Sequence, residues 1–244
     1  TKENIDPGLI MTGGPGIIDI CGKMRPEVGW GKIIWGLQDV PTIGVDPLTH
    51  ADHFQSLSMW RTTDAVESWS WEGCEGKRTL ATVYSDAPVV ELLVNGQSLG
   101  KKKTKQDMAK FKKVTYQEGQ IEAVAYDASG KETGRSKLVS ASGKTKISLR
   151  PECQSLRANG QDLCFLNIDL VGENGITKSS VDQVLKVEVT GAGCLQGYGS
   201  ARPNIADDFV SDQHKTFLGK SLAVIRAGYE TGCIHVKVSG EGLE

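Results

Sequence analysis

Hydrophobic residues alternate with polar ones along most of this chain, and the alternation has a period of two. That period belongs to strands with one buried face. It predicts strands at "TLATVYS" (79–85), "VVELLVNG" (89–96), "AKFKKVTY" (109–116), "GQIEAVAYD" (119–127) and "RSKLVSA" (135–141). Asn95-Gly96 reads as a tight turn, because both residues tolerate positive φ, and "DASGKETG" (127–134) reads as a turn cluster. A second set of strands follows the small, polar "ASGKTK" (141–146): 146–152, 164–172, 185–191, 221–228 and 233–240. Short strands joined by Gly, Asn and Asp turns argue for antiparallel sandwiches. The start differs. An apolar run, "GIIDICG" (16–22), precedes "RPEVGWGKIIWGLQ" (25–38), where Val28, Ile33, Ile34 and Leu37 lie near helical spacing and Pro26 suits a first turn. That is half of a β/α unit, with no partner strand in view.

The expected fold is therefore mainly β, with two immunoglobulin-like antiparallel β-sandwiches in tandem after a short strand/helix segment. The expected boundaries are 1–40 for the first segment, 41–142 and 143–242 for the sandwiches, and 243–244 for a cloning scar, Leu243-Glu244. The chain has 244 residues, 39% of them hydrophobic, and a net charge of −2, enough for a substantial core and no mark of a nucleic-acid binder. No segment approaches the roughly 20 apolar residues of a helical membrane span.

Candidate chemistry is sparse. No G-x-S-x-G, phosphate-loop or H-E-x-x-H pattern occurs. The glycines of "GAGCLQGYG" (191–199) open no helix and fit a turn or bulge better than a dinucleotide loop. Seven lysines in 100–113 (Lys101, Lys102, Lys103, Lys105, Lys110, Lys112 and Lys113) suggest a solvated edge strand rather than a nucleic-acid groove. The six cysteines contain no C-x-x-C, and His50-x-x-His53 has no third ligand nearby, so neither a metal nor another cofactor is expected. Free thiols in a reducing compartment, such as the cytoplasm, are the favoured reading. A cross-sheet disulfide among Cys164, Cys194 and Cys233 is the alternative. Asp207-Asp208 with Asp212 matches no calcium loop.

One stretch stands apart, "ESWSWEGCEGK" (67–77). In a strand, Trp69 and Trp71 would share a face, either as a sugar platform or as core. Ser68, Ser70 and Glu72 would then lie on the opposite face, so packing is the favoured reading and carbohydrate the candidate ligand of the other.

The longer string "SMWRTTDAVESWSWEGCEGK" (58–77) followed by "VYSDAPVVELLVNGQSLGKK" (83–102) resembles glycoside hydrolase family 2, the β-galactosidase and β-glucuronidase family. That family commonly reads W-x-W-x-G-x-E-G-K, then V-x-V-Y-S-D-A, then V-E-L-x-L-N-G-x-S-L-G. Here Val94 precedes the N-G turn, Ala87-Pro88 replaces a more acidic pair, and Glu118 stands where a Pro is usual. "GCLQGYGSARP" (193–203), "DDF" (207–209) and "KTFLGKSLAVIRAGYETG" (215–232) continue the likeness. The resemblance makes "GIIDICGKMRPE" (16–27) the close of a (β/α)₈ catalytic barrel, and residues 1–40 its remnant. It implies a retaining glycosidase, most simply a β-galactosidase, whose two catalytic glutamates lie upstream of Thr1. This chain alone would then be inert, with no catalytic residue, and its partner would be the barrel of the same polypeptide. Trp60 and Arg61 are expected at the seam to that barrel, and Trp30 and Trp35 are expected to be bared by its absence. A homo-oligomer of the whole protein is compatible with the same resemblance. A carbohydrate-binding module independent of the barrel is the alternative function.

Overall fold

A computed structural model describes residues 16–50, 63–203 and 208–243. The chain forms two compact units, Gly14–Ser140 and a second that begins at Ala141. Each holds one three-stranded and one four-stranded antiparallel sheet.

The first unit contains α1 (Pro26–Ile34), β1 (Thr42–Val45), β2 (Arg78–Tyr84), β3 (Val89–Val94), β4 (Gln97–Lys103), β5 (Met108–Thr115), β6 (Gln120–Tyr126) and β7 (Glu132–Val139). Its sheets run β1-β2-β5 and β4-β3-β6-β7. The period of two explains β3, which buries Val90, Leu92 and Val94 and leaves Val89, Glu91 and Leu93 only half-buried. β2 breaks that pattern, because Ala81, Thr82, Val83 and Tyr84 are all buried. Its second face lies under α1, where Trp30 sits 6.1 Å from Tyr84 between ring centroids. The helix approaches closely because glycines meet it. A methyl on Gly44 of β1 would come within 2.9 Å of Pro26, and one on Gly29 within 2.2 Å of Thr42.

α1 is shorter than the expected 25–38. Pro26 does occupy the first turn, but the helix stops at Ile34, and Gly36 follows with φ of 65°. The apolar run 16–22 is not a strand. The Asp19 carboxylate accepts the amides of Cys21 and Lys23 at 2.9 Å each, which curls the run into a turn closed by an Ile18–Met24 bridge. Asn95 and Gly96 have φ of 49° and 80°, so the two-residue turn between β3 and β4 is the expected kind. β4 was hidden from the periodicity because the whole strand is exposed. It is an edge strand, as the lysines suggest.

The second unit contains β8 (Lys146–Pro151), β9 (Leu163–Val171), β10 (Val184–Gly191), β11 (Gly193–Gly199), β12 (Gln213–Lys215), β13 (Lys220–Ala227) and β14 (Ile234–Gly240). Its sheets run β12-β10-β14 and β11-β13-β9-β8. The core is built from Leu166, Ile168, Leu170, Leu185, Val187, Tyr198 and Ile225. Within the glycine-rich 191–199, Gly191 ends β10 and Gly193–Gly199 form β11, with a register shift between Leu195 and Gly197 where it pairs with β13. Glycine serves there because bulk is excluded: a methyl on Gly199 would meet the Phe209 ring at 2.3 Å. Among the described residues, all six cysteines are free, so no disulfide joins Cys164, Cys194 and Cys233.

Candidate functional site

The segment that carries Trp69 and Trp71 is not a strand. It runs as extended coil from Ser68 to Trp71 and then through two turns to Lys77. Both indoles are fully buried, at 0% exposure, and so is Ser70, which a strand would have turned outward. The segment lies inside the first unit because it takes its hydrogen bonds there. The Trp69 indole N–H donates to the Gln117 carbonyl at 3.0 Å, and its ring meets Tyr116 edge-on at 5.0 Å. The Trp71 amide donates to the Tyr116 hydroxyl at 3.1 Å. That hydroxyl lies 3.3 Å from the Ser140 hydroxyl, which donates to the Trp69 carbonyl at 2.6 Å and accepts the Gly119 amide at 3.1 Å. Three separate segments therefore converge on one buried polar knot. The Trp71 indole N–H has no partner among the described residues. Trp60, Arg61, His53 and Asp207 lie outside the described residues.

Trp35 behaves differently. It is 77% exposed, and Ile17, Ile18, Ile20, Met24, Ile34 and Leu37 nearby in sequence are also exposed. Trp30 is half-buried against Tyr84.

Periodicity did not single out a polar cluster on the outer face of the four-stranded sheet. Glu91 accepts Ser98 at 2.6 Å and Tyr126 at 2.7 Å, and Lys101 stands 3.7 Å over the Tyr126 ring centroid. The hydrogen bonds from Ser98 and Tyr126 hold the Glu91 carboxyl below the usual glutamate value, and the bond that Tyr126 donates to Glu91 raises Tyr126 in return. The signal was present in the hairpin. A two-residue Asn-Gly turn sets the register that leads to Glu91 opposite Lys101. Lys102 spans from β4 to the Lys110 carbonyl of β5 at 2.8 Å, so the lysine stretch forms one solvated edge. Among the described residues no group of three or more His, Cys, Asp or Glu side chains could hold a metal ion.

Comparison with known proteins decides the family. The glycoside hydrolase family 2 C-terminal domain 5 matches residues 147–244, and a domain of unknown function, DUF4982, matches 76–134. A family 2 glycosyl hydrolase from Bacteroides cellulosilyticus superposes with a TM-score of 0.82 at 30% identity, over 95% of this chain and 31% of that one. This is the C-terminal region of a family 2 glycoside hydrolase. The β-galactosidase BoGH2A of Bacteroides ovatus is 29% identical over 176 residues, 72% of this chain and 20% of that enzyme. A family 2 β-glucuronidase shares the fold, with a TM-score of 0.73 at 17% identity over 94% of this chain and 22% of its own. The family 2 region described here thus spans about a fifth to a third of the relatives it matches.

Proposed function

We propose that this family 2 region is the non-catalytic β-sandwich part of a retaining β-galactosidase, and that the catalytic barrel precedes it in the same polypeptide. The observation that carries this reading is the match of 95% of the chain to a family 2 enzyme at 30% identity. The preference for galactoside over glucuronide is supported by the ovatus β-galactosidase, at 29% identity over 72% of this chain. Retaining hydrolysis uses one carboxylic acid to protonate the leaving oxygen and a second carboxylate to attack the anomeric carbon, about 5–5.5 Å apart. Both glutamates are assigned to the barrel. The role of this region is to support that barrel. Trp69 and Trp71 serve the support as packing, since a ring at 0% exposure offers no face to a sugar.

The test has two arms. The chain alone, given nitrophenyl β-galactoside and nitrophenyl β-glucuronide, is expected to release no nitrophenol above buffer. Steady release that survives repurification would sink the non-catalytic reading. The longer polypeptide is expected to prefer the galactoside and to yield β-galactose as the first product. A glucuronide preference would overturn the substrate assignment and leave the support role standing. Titration of the chain with galactose and lactose distinguishes the binding-module alternative. A saturable change in tryptophan emission, lost in Trp69→Ala, would favour it.

A further inference from the structure

Cys153 and Cys164 face each other across the end of an antiparallel pair. The β8–β9 register runs from Lys146↔Val171 to Pro151↔Leu166. One residue further, the Glu152 amide donates to the Phe165 carbonyl at 3.0 Å, so that pair is a hydrogen-bonded one. The next pair in the same register is Cys153 and Cys164, at a non-hydrogen-bonded position. There the Cα atoms of an antiparallel ladder approach to about 4.5 Å, with side chains on one face. Disulfides accept Cα separations from about 4.4 Å upward. The side chains confirm the approach. The Cys164 thiol donates to the Cys153 carbonyl at 3.4 Å. The neighbouring Cys164 thiol, ahead of burial, pushes Cys153 up to about 11.

The loop between them is already shaped to keep its ends together. Asp162 accepts the Arg157 amide at 3.1 Å, the Arg157 guanidinium at 3.0 Å and the Asn159 amide group at 2.9 Å. Both cysteines line a cavity of about 780 Å³ in the second unit, together with Cys233, so a small reagent can reach them. Cys153 is half-exposed and Cys164 buried, so access, not acidity, makes Cys153 the thiol of first attack.

We infer that Cys153 and Cys164 form a redox-active pair that closes to a disulfide by exchange with a low-molecular-weight disulfide. Cys153 loses its proton and its sulfur attacks one sulfur of the reagent, releasing one small thiol and leaving a mixed disulfide. Cys164 then loses its proton and attacks the Cys153 sulfur, releasing the second small thiol. Two cysteine sulfurs are oxidised, the reagent disulfide is reduced, and the two protons end on the released thiols.

The experiment uses the full chain, reduced, desalted and equilibrated with mixtures of reduced and oxidised glutathione. It is then quenched with iodoacetamide, digested and read by mass spectrometry. A peptide linked through Cys153 and Cys164, lighter by two hydrogens than the reduced pair, is expected in the wild type and in Cys233→Ser. The urea midpoint is expected to rise on oxidation in both, and to stay unchanged in Cys153→Ser. Cys153 and Cys164 both alkylated at the most oxidising ratio would overturn the inference. So would a link from either one to Cys233, or a glutathione adduct on Cys153 that Cys164 never displaces.

Discussion

Ser140 shows how a single hydroxyl fixes a fold. Its oxygen bonds the Trp69 carbonyl and the Gly119 amide and lies beside the Tyr116 hydroxyl, in a place that is 4% exposed. Ser140→Ala leaves those groups dry and short of a partner, and a cost of about 1–3 kcal/mol is expected in urea unfolding. Trp69→Ala removes a buried ring as well as a hydrogen bond, so a larger loss of about 3–5 kcal/mol is expected in the same measurement. Glu91 carries a pH dependence. Its folded carboxyl titrates below the ordinary 4.5, because Ser98 and Tyr126 bond the charged form. The stabilisation is complete above the unfolded value and fades as pH falls through the folded one. Glu91→Gln should therefore flatten the acid limb of stability against pH, and an unchanged limb would refute this. The sequence pointed to Trp69 and Trp71 but not to their surroundings. Ser140 and Gln117 are ordinary polar letters, 71 and 48 residues away, and local pattern carries no information about such partners.

Strands with one dry face were legible, because burial writes itself into alternation. β13 is the clearest case, buried at every second residue from Ser221 to Ala227. β4 lacks a dry face altogether, so only the Asn95-Gly96 turn hinted at it. β1 is buried at all four positions, and four residues carry too little pattern to declare a strand. The apolar run at 16–22 misled for the opposite reason, since Asp19 bonds its own downstream amides and turns the chain. β4 also has a bulge near Gly100, whose φ is 98°, and lysines on both faces. These features keep an open edge from recruiting another strand. Lys101→Val with Lys103→Val should produce concentration-dependent dimers in sedimentation velocity, while the wild-type edge stays unpaired. α1 depends on close approach, so Gly44→Ala should loosen it against β1 and raise amide exchange across Pro26–Ile34.

At the scale of the whole molecule, the two units repeat one plan, three strands on four, without an obvious repeat in sequence. Composition and turn residues were enough to expect tandem sandwiches. The apolar surface around Trp35, by contrast, has no explanation within the first unit's own core. Isolated chains are expected to self-associate through it, and Trp35→Ser should reduce the association seen in light scattering. A wild-type chain that stays monomeric at high concentration would contradict this. The knot at Ser140 has a consequence for time as well as for energy. Closing a 71-residue span precedes any reward from its hydrogen bond, and long-range closure is slow. During refolding, the hairpin of β3 and β4 can pair early. Trp69 is then expected to reach full burial only when Ser140, just past β7, returns, so its emission should follow the final closure of the first sandwich.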